Sequence, residues 1–347
     1  EMPVNAAGRT RAIHDAHASK GKLTLAQAIQ VSSNIAMAKF ASRLSPEEQF
    51  ETLRDFGFGT PTAAEFPSES RGRFARPDRW QPMYTRASLA MGYEIGVTPV
   101  QLASAYAAIA NDGVLMAPTL VKEVRDPAGT LLYRHRPEPV RRVISSEIAA
   151  RLRGFLREAV GEGGTGGRGQ LSNYALLGKT GTAKRFEGGR YVEGEYTASF
   201  AALFPADHPQ LAVIVKIDNP KGSYYGGLTA APVTRTMLQQ ALASRRVAID
   251  RGRFATRDST PEEEPKSADA PAGKPAVVIP WPAHLDRPSG SPLPVPSVEG
   301  RSVREAALAL HRRGFRVNLQ GIGRVVRTQP EAGDSAPPGT SVFVYAE

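Results

Sequence analysis

Between about Arg251 and Gly290 the chain turns to proline, serine, alanine and charge, with Glu262-Glu263-Glu264 inside the run. A stretch of this composition reads as an extended linker rather than part of a packed core. It therefore divides the chain into residues 1–247, a linker at 248–291, and a small unit at 292–347. Of the 347 residues 41% are apolar, so the first part has material for a sizeable core.

Composition removes several classes of function. There are no cysteines, which excludes disulfide frameworks, thiolate metal sites and cysteine nucleophiles. Six histidines without an H-E-x-x-H pair argue against a zinc hydrolase. The formal charge of +10 is scattered, without a dense basic block. No helix-turn-helix, zinc or RNA-recognition signature accompanies it, so no nucleic-acid partner is expected. No run of about 18 apolar residues marks a transmembrane helix, and no signal peptide opens the chain. The first residue is Glu1, which reads as a processed or partial product.

Local patterns place the elements. Gly21 to Ala41 is helical in spacing but broken by Ser32-Ser33-Asn34, residues that favour caps and turns. Phe56-Gly57-Phe58-Gly59-Thr60-Pro61 marks a loop. Val97 to Ala110 is a helix stopped at Asn111-Asp112-Gly113, and Ser145 to Val160 is another, with Ser145 or Ser146 as its cap. After the glycine-rich 161–167 the period changes. Tyr174 to Ala183, Tyr196 to Phe204 and Leu211 to Ile217 read as strands, with Gly188-Gly189 as a turn between the first two. Pro232 to Ala243 is a helix. The order suggests an α+β fold, an antiparallel sheet with helices packed on it. The last segment offers a helix from Ser302 to Arg313 and short strands at 315–319, 324–329 and 341–345, hence a small βα unit.

Gly178-Lys179-Thr180-Gly181-Thr182 admits two readings. A phosphate-binding loop needs a glycine five residues before Gly178 and a following helix; Asn173 stands there and a strand end follows. The alternative is the K-T-G triad of serine acyl-enzymes, which accompanies S-x-x-K and an S-x-N motif. Ser32-Ser33-Asn34 is such an S-x-N and lies upstream, as that order requires.

The region then resembles the transpeptidase domain of class B penicillin-binding proteins, the cell-division type above all. The likeness runs from Ser32 through Lys39, Phe56-Gly57-Phe58-Gly59, the stretch Gly92 to Leu102 and Ile109-Ala110-Asn111-Asp112-Gly113. It continues in Gly163-Gly164-Thr165-Gly166, the Lys179 motif, Phe204-Pro205-Ala206-Asp207 and Tyr224-Tyr225-Gly226-Gly227 before Ala231-Pro232-Val233. It implies a five-stranded antiparallel sheet flanked by helices, plus a helical subdomain carrying S-x-N. It also implies a D,D-transpeptidase that cross-links stem peptides ending in D-Ala-D-Ala through an acyl-serine, on the outer face of the cytoplasmic membrane. β-Lactams would be ligands, a division glycosyltransferase a partner, and the membrane would be met only through an N-terminal anchor. No metal or cofactor is required.

By the same resemblance, Lys179 sets positive charge near the substrate's terminal carboxylate, and the hydroxyls of Thr180 and Thr182 bond that carboxylate. Gly181 lets the substrate backbone approach the strand. The Thr182 N–H forms half of the oxyanion hole. Ser32 relays a proton to the leaving amine, and Asn34 orients the lysine and the substrate amide.

The S-x-x-K nucleophile is expected roughly fifty residues before S-x-N, ahead of Glu1. The literal Ser19-Lys20-Gly21-Lys22 reads as a decoy, since Gly21 weakens the one-turn helix that the motif needs. The tail resembles a PASTA module, through Val295-Pro296-Ser297-Val298-Glu299-Gly300, Gly314-Phe315, Gln329-Pro330 and Gly339-Thr340-Ser341-Val342. Such a module implies wall-fragment binding or docking. A non-enzymatic wall binder or sensor is the other reading of the whole; a class A β-lactamase fits poorly, because such enzymes lack the linker and tail.

Overall fold

The computed structural model describes residues 2–6, 9–16, 21–65, 68–81, 84–244, 247, 249–254, 291–321 and 323–347. Two units divide the chain: Glu1–Gly59, Gly72–Gly113 and Ser145–Ala268 in one, Thr60–Arg71, Val114–Ile144 and Asp269–Glu347 in the other. Most of the expected linker, 255–290, lies outside the described residues.

The first unit begins with short helices whose starts are written into the sequence. Helix α1 is Leu25–Gln30, α2 Asn34–Ala41, α3 Pro46–Asp55, α4 Tyr84–Ala90 and α5 Pro99–Ala110. Thr24 with Gln27, Ser45 with Glu48, and Thr98 with Gln101 form reciprocal capping boxes at α1, α3 and α5. Each box satisfies two backbone donors that a helix start leaves unpaired. Helix α5 stops where the sequence places the stop: Asp112 and Gly113 take positive φ, and Gly113 N donates back to Ala108 O at 2.8 Å. Helix α6, Ser146–Val160, is capped by Ser145.

The sheet follows. Strand β1 is Leu177–Glu187, β2 Arg190–Phe204 and β3 Leu211–Asp218; they pair antiparallel in the order β3-β2-β1. Gly188 and Gly189, both at positive φ, make the two-residue turn between β1 and β2. Helix α7, Ala230–Ala243, packs on the sheet. One core joins Phe200, Ala202 and Phe204 of β2 to Ala230, Ala231 and Leu238 of α7. On the other face Leu177 and Leu203 meet Leu156 of α6, with Tyr106 and Ile109 of α5 beside them. Burial on both faces explains why Ala198 to Phe204 is apolar almost without alternation. Each fully buried phenylalanine there contributes about 2–3 kcal/mol.

Three strands, rather than the five that the resemblance implies, form this sheet among the described residues. The other pairing near the start of the chain, Met2–Ala6 with Arg9–Ile13, is a separate two-stranded ladder. The three strands correspond to the three long apolar segments between 174 and 218. Beyond α7 the chain stays on the domain. The Gln210 side chain donates to Asp250 O at 3.0 Å and accepts from Asp250 N at 2.7 Å. Phe254 then sets its ring edge-on to Tyr174 and Phe204, with centroids 5.3 and 5.4 Å away.

In the second unit Val114–Met116 pairs with Pro139–Arg142, and Glu123–Arg125 with Leu131–Arg134. Its tail holds helix α8, Val303–Arg312, and strands β4, Arg316–Gly321, β5, Val325–Gln329, and β6, Ser341–Ala346. Strand β6 is central, parallel to β4 and antiparallel to β5. Val298, Ala306, Leu310, Phe315, Val342 and Val344 form a core of their own. Ser302 and Glu305 close a capping box, and the Ser302 hydrogen bonds hold the Glu305 carboxyl below its ordinary pKa.

Candidate active site

The break expected at Ser32-Ser33-Asn34 is a sharp reversal between α1 and α2. Ser32 sits in the left-handed region at φ 57°, which costs a non-glycine residue on the order of 1 kcal/mol. Its neighbours secure it. The Ser33 hydroxyl oxygen accepts from Ala36 N at 3.1 Å, capping α2, and its proton goes to Asp15 Oδ2 at 2.8 Å. Asp15 Oδ1 accepts from Ile35 N at 2.9 Å. With Ser33 taking the cap, the Ser32 side chain is left for other work.

That side chain meets the sheet. Lys179 lies on β1 opposite Ala201 of β2. Its Nζ donates to Ser32 Oγ at 2.8 Å, to Thr180 O at 3.0 Å and, weakly, to Thr180 Oγ1 at 3.5 Å. Three neutral oxygens thus take its three protons, and no carboxylate pairs with it among the described residues. Burial pushes the Lys179 ammonium down from 10.5 to about 8, because little water remains to solvate the charge.

The rest of the triplet is fastened from two sides. Thr182 Oγ1 accepts from Gly226 N at 3.1 Å. The Thr180 hydroxyl shares a 2.6 Å hydrogen bond with the Thr165 hydroxyl. Gly181 faces Ser199 across the ladder, and a Cβ there would sit 2.4 Å from Ser199 Oγ. At Gly226 a Cβ would lie 2.2 Å from Ser199 O and 2.4 Å from Gly181 O. Segment 223–227 can therefore lie against β1 and β2 only without a side chain at Gly226.

Thr165 is delivered by the glycine-rich turn after α6. Gly166 N donates to Ala159 O at 2.9 Å and Gly164 N to Gly161 O at 3.1 Å, folding the turn back on the helix end. Gln30 Nε2 donates to Glu162 O at 2.9 Å, tying this turn to the end of α1.

Of the six residues singled out from the sequence, Ser32, Lys179 and Thr180 join in one hydrogen-bonded group, and Gly181 and Thr182 continue the strand beside them. Asn34 does not bond Lys179 among the described residues; its Nδ2 donates to His14 O at 3.0 Å. As the first residue of α2 it is turned toward the segment that supplies Asp15. Sequence reasoning missed Thr165, Asp15 and Gln30 as parts of the site. Of these only Thr165 carries a signal, a lone hydroxyl within a run of glycines. Ser19 and Lys20 of the literal S-x-x-K lie outside the described residues. Among the described residues no cluster of His, Cys, Asp or Glu could hold a metal, and no helix is long and apolar enough to cross a membrane.

A lysine-bearing strand at an antiparallel sheet, reaching a serine on a helix-to-helix turn, defines the class of serine acyl-enzymes that bind penicillins. Residues 5–239 match the family described as the penicillin binding protein transpeptidase domain, and 293–347 match the PASTA domain. The chain belongs to the penicillin-binding protein transpeptidase family. It is 31% identical over 94% of its length to stage V sporulation protein D of Bacillus subtilis, covering 46% of that protein. It is 35% identical to penicillin-binding protein PbpB of Mycolicibacterium smegmatis, over 58% of this chain and 32% of that one. The crystal structure of penicillin-binding protein 3 from Mycobacterium tuberculosis complexed with aztreonam aligns with TM-score 0.62 and 31% identity, over 70% of this chain and 55% of that one. The chain thus spans less than half the length of each of these two curated relatives.

Proposed function

We propose that residues 1–247 are the larger part of the catalytic domain of a peptidoglycan D,D-transpeptidase that cross-links stem peptides in septal wall synthesis. The observation that carries the reading is the 2.8 Å bond from Lys179 Nζ to Ser32 Oγ, which joins the K-T-G strand to the S-x-N turn. In the proposed reaction a serine hydroxyl attacks the penultimate D-Ala carbonyl, the C–N bond breaks, and D-alanine leaves with a proton. An amine of a second strand then attacks the acyl ester, forming the cross-link and freeing the serine.

Each residue has a proposed role. The nucleophile belongs to an S-x-x-K segment preceding Glu1 in the longer protein. Ser32 hands a proton to the departing amine, and Lys179, 2.8 Å away, stabilises and resupplies it. Lys179, Thr180 and Thr182 receive the substrate's terminal carboxylate, a fitting partner for a buried ammonium that has no carboxylate beside it among the described residues. The Thr182 N–H serves as half of the oxyanion hole, and Gly181 keeps the strand open to the substrate. Asn34, whose Nδ2 is held by His14 O, orients the substrate amide through its side-chain carbonyl oxygen. β-Lactams enter as mimics of D-Ala-D-Ala. The protein would work outside the cytoplasmic membrane, tethered by an N-terminal anchor and paired with a division glycosyltransferase, while the PASTA module at 292–347 contacts wall fragments or docks.

The test is labelling of the full-length protein with fluorescent penicillin. The wild type should take up the label covalently, and Lys179→Ala should lose it. Absence of label on the wild type would favour a non-enzymatic wall sensor instead, and label on this isolated chain at Ser19 would overturn the assignment of the nucleophile.

A further inference from the structure

The Thr165 hydroxyl has no role in the scheme above, yet it lies 2.6 Å from Thr180 Oγ1. We propose that Thr165 is a positioning residue for the anion site: it donates its proton to Thr180 and so leaves the Thr180 proton directed at the substrate's carboxylate. This rests on the transpeptidase reading and deepens it.

A threonine hydroxyl donates once and accepts twice. Lys179 Nζ has only protons to give, and it approaches Thr180 Oγ1 at 3.5 Å, so that oxygen accepts from the lysine side. The bond to Thr165 can run in either direction. If Thr180 donated to Thr165, its only proton would be spent, and Thr180 would turn lone pairs toward an arriving carboxylate. If Thr165 donates, both acceptor positions of Thr180 are filled and its proton is free. An arriving anion selects the second arrangement, since a short bond from a hydroxyl to a carboxylate is stronger than one between neutral hydroxyls.

The placement of Thr165 is built rather than accidental. Its turn is folded back on α6 by the bonds from Gly164 and Gly166. Gln30 holds the turn from the S-x-N side through Glu162 O. Gly227 passes so close to the Thr165 carbonyl that a Cβ there would lie 2.2 Å from its oxygen. The turn therefore has little freedom to withdraw the hydroxyl from Thr180.

The experiment compares acylation of full-length wild-type protein, Thr165→Val, Thr165→Ser, Thr180→Val and the double variant by benzylpenicillin and by its methyl ester, which lacks the anion. Thr165→Val should slow acylation by benzylpenicillin about tenfold to a hundredfold, the scale of one hydrogen bond to a charged group. Thr165→Ser should restore it. The two single valine losses should not add in the double variant, and with the methyl ester Thr165→Val should match wild type. Equal loss with acid and ester, or no loss with the acid, overturns the proposal. The serine variant guards against misfolding, since it keeps the hydroxyl and any loss it shares with valine counts against the proposal. A wild type acylated by neither compound overturns the transpeptidase reading itself and takes this inference with it.

Discussion

The ammonium of Lys179 donates to the hydroxyl oxygen of Ser32 at 2.8 Å, across 147 positions of chain. Neither residue is in an easy state. The lysine is charged where burial penalises charge, and the serine holds a backbone conformation that glycine would adopt at lower cost. The buried ammonium is the feature that the proposed carboxylate site would use.

Replacing Lys179 separates its two effects. Lys179→Met should abolish penicillin acylation and yet stabilise the fold at pH 7. The shift from 10.5 to about 8 corresponds to roughly 3 kcal/mol of burial penalty at pH 7, which a methionine does not carry. Denaturant unfolding of the two proteins is the measurement, and a less stable methionine variant contradicts the assigned burial cost.

The same shift predicts a pH dependence of stability. The folded-state value lies below the unfolded one, so between about 8 and 10.5 the unfolded chain holds a proton that the folded chain lacks. Stability attributable to Lys179 therefore rises with pH through that window, and the penalty is complete below about 8. The difference between wild type and Lys179→Met should shrink from pH 7 to pH 10. Acylation should run the other way, falling above an apparent pKa near 8 as the free protein loses the ammonium.

At Ser32 the backbone and the hydroxyl can be tested apart. Ser32→Gly and Ser32→Ala both remove the hydroxyl and should slow acylation alike. Glycine relieves the φ of 57° and alanine does not, so the glycine variant should be more stable by about 1 kcal/mol in denaturant unfolding. Equal stabilities would place the strain elsewhere.

Gly226→Ala should lower the melting temperature and acylation together. Its methyl group would meet backbone oxygens of Ser199 and Gly181, which cannot move without opening the β1–β2 ladder. A cost of about 1–3 kcal/mol is expected. Gly222→Ala is a control with open space around it but positive φ, and it should leave acylation unchanged.

Phe254→Ala should destabilise the first unit by about 2 kcal/mol, although it lies beyond the last helix. Its contacts with Tyr174 and Phe204 make it part of the core. Calorimetry of the variant checks this, and an unchanged melting transition would return residues 249–254 to the linker.

Much of this was legible from residue order. The stop of α5 at Asn111-Asp112-Gly113, the cap at Ser145, the Gly188-Gly189 turn and the broken helix at Ser32-Ser33-Asn34 depend on neighbours a few positions apart. Their spacing is therefore their signature. The same holds for the helix and strands of the tail, but not for the parallel pairing of β4 with β6, because a strand's pattern does not name its partner. Thr165, Asp15 and Gly226 were not legible as site residues either. Each acts through a contact with a residue at least 15 positions away; only Thr165 stands out locally, as a lone hydroxyl among glycines, and that does not name its partner.

The sequence by itself determined which residue types stand in which order, and with them the family and the local turns, since capping, glycine conformation and alternation are short-range effects. The tertiary structure alone decided the state of the site. Lys179 has a depressed pKa because of what packs around it, and Ser32 is its partner because the α1–α2 turn is folded against β1. Burial and cross-chain hydrogen bonds are properties of the assembled surface, which no single segment carries.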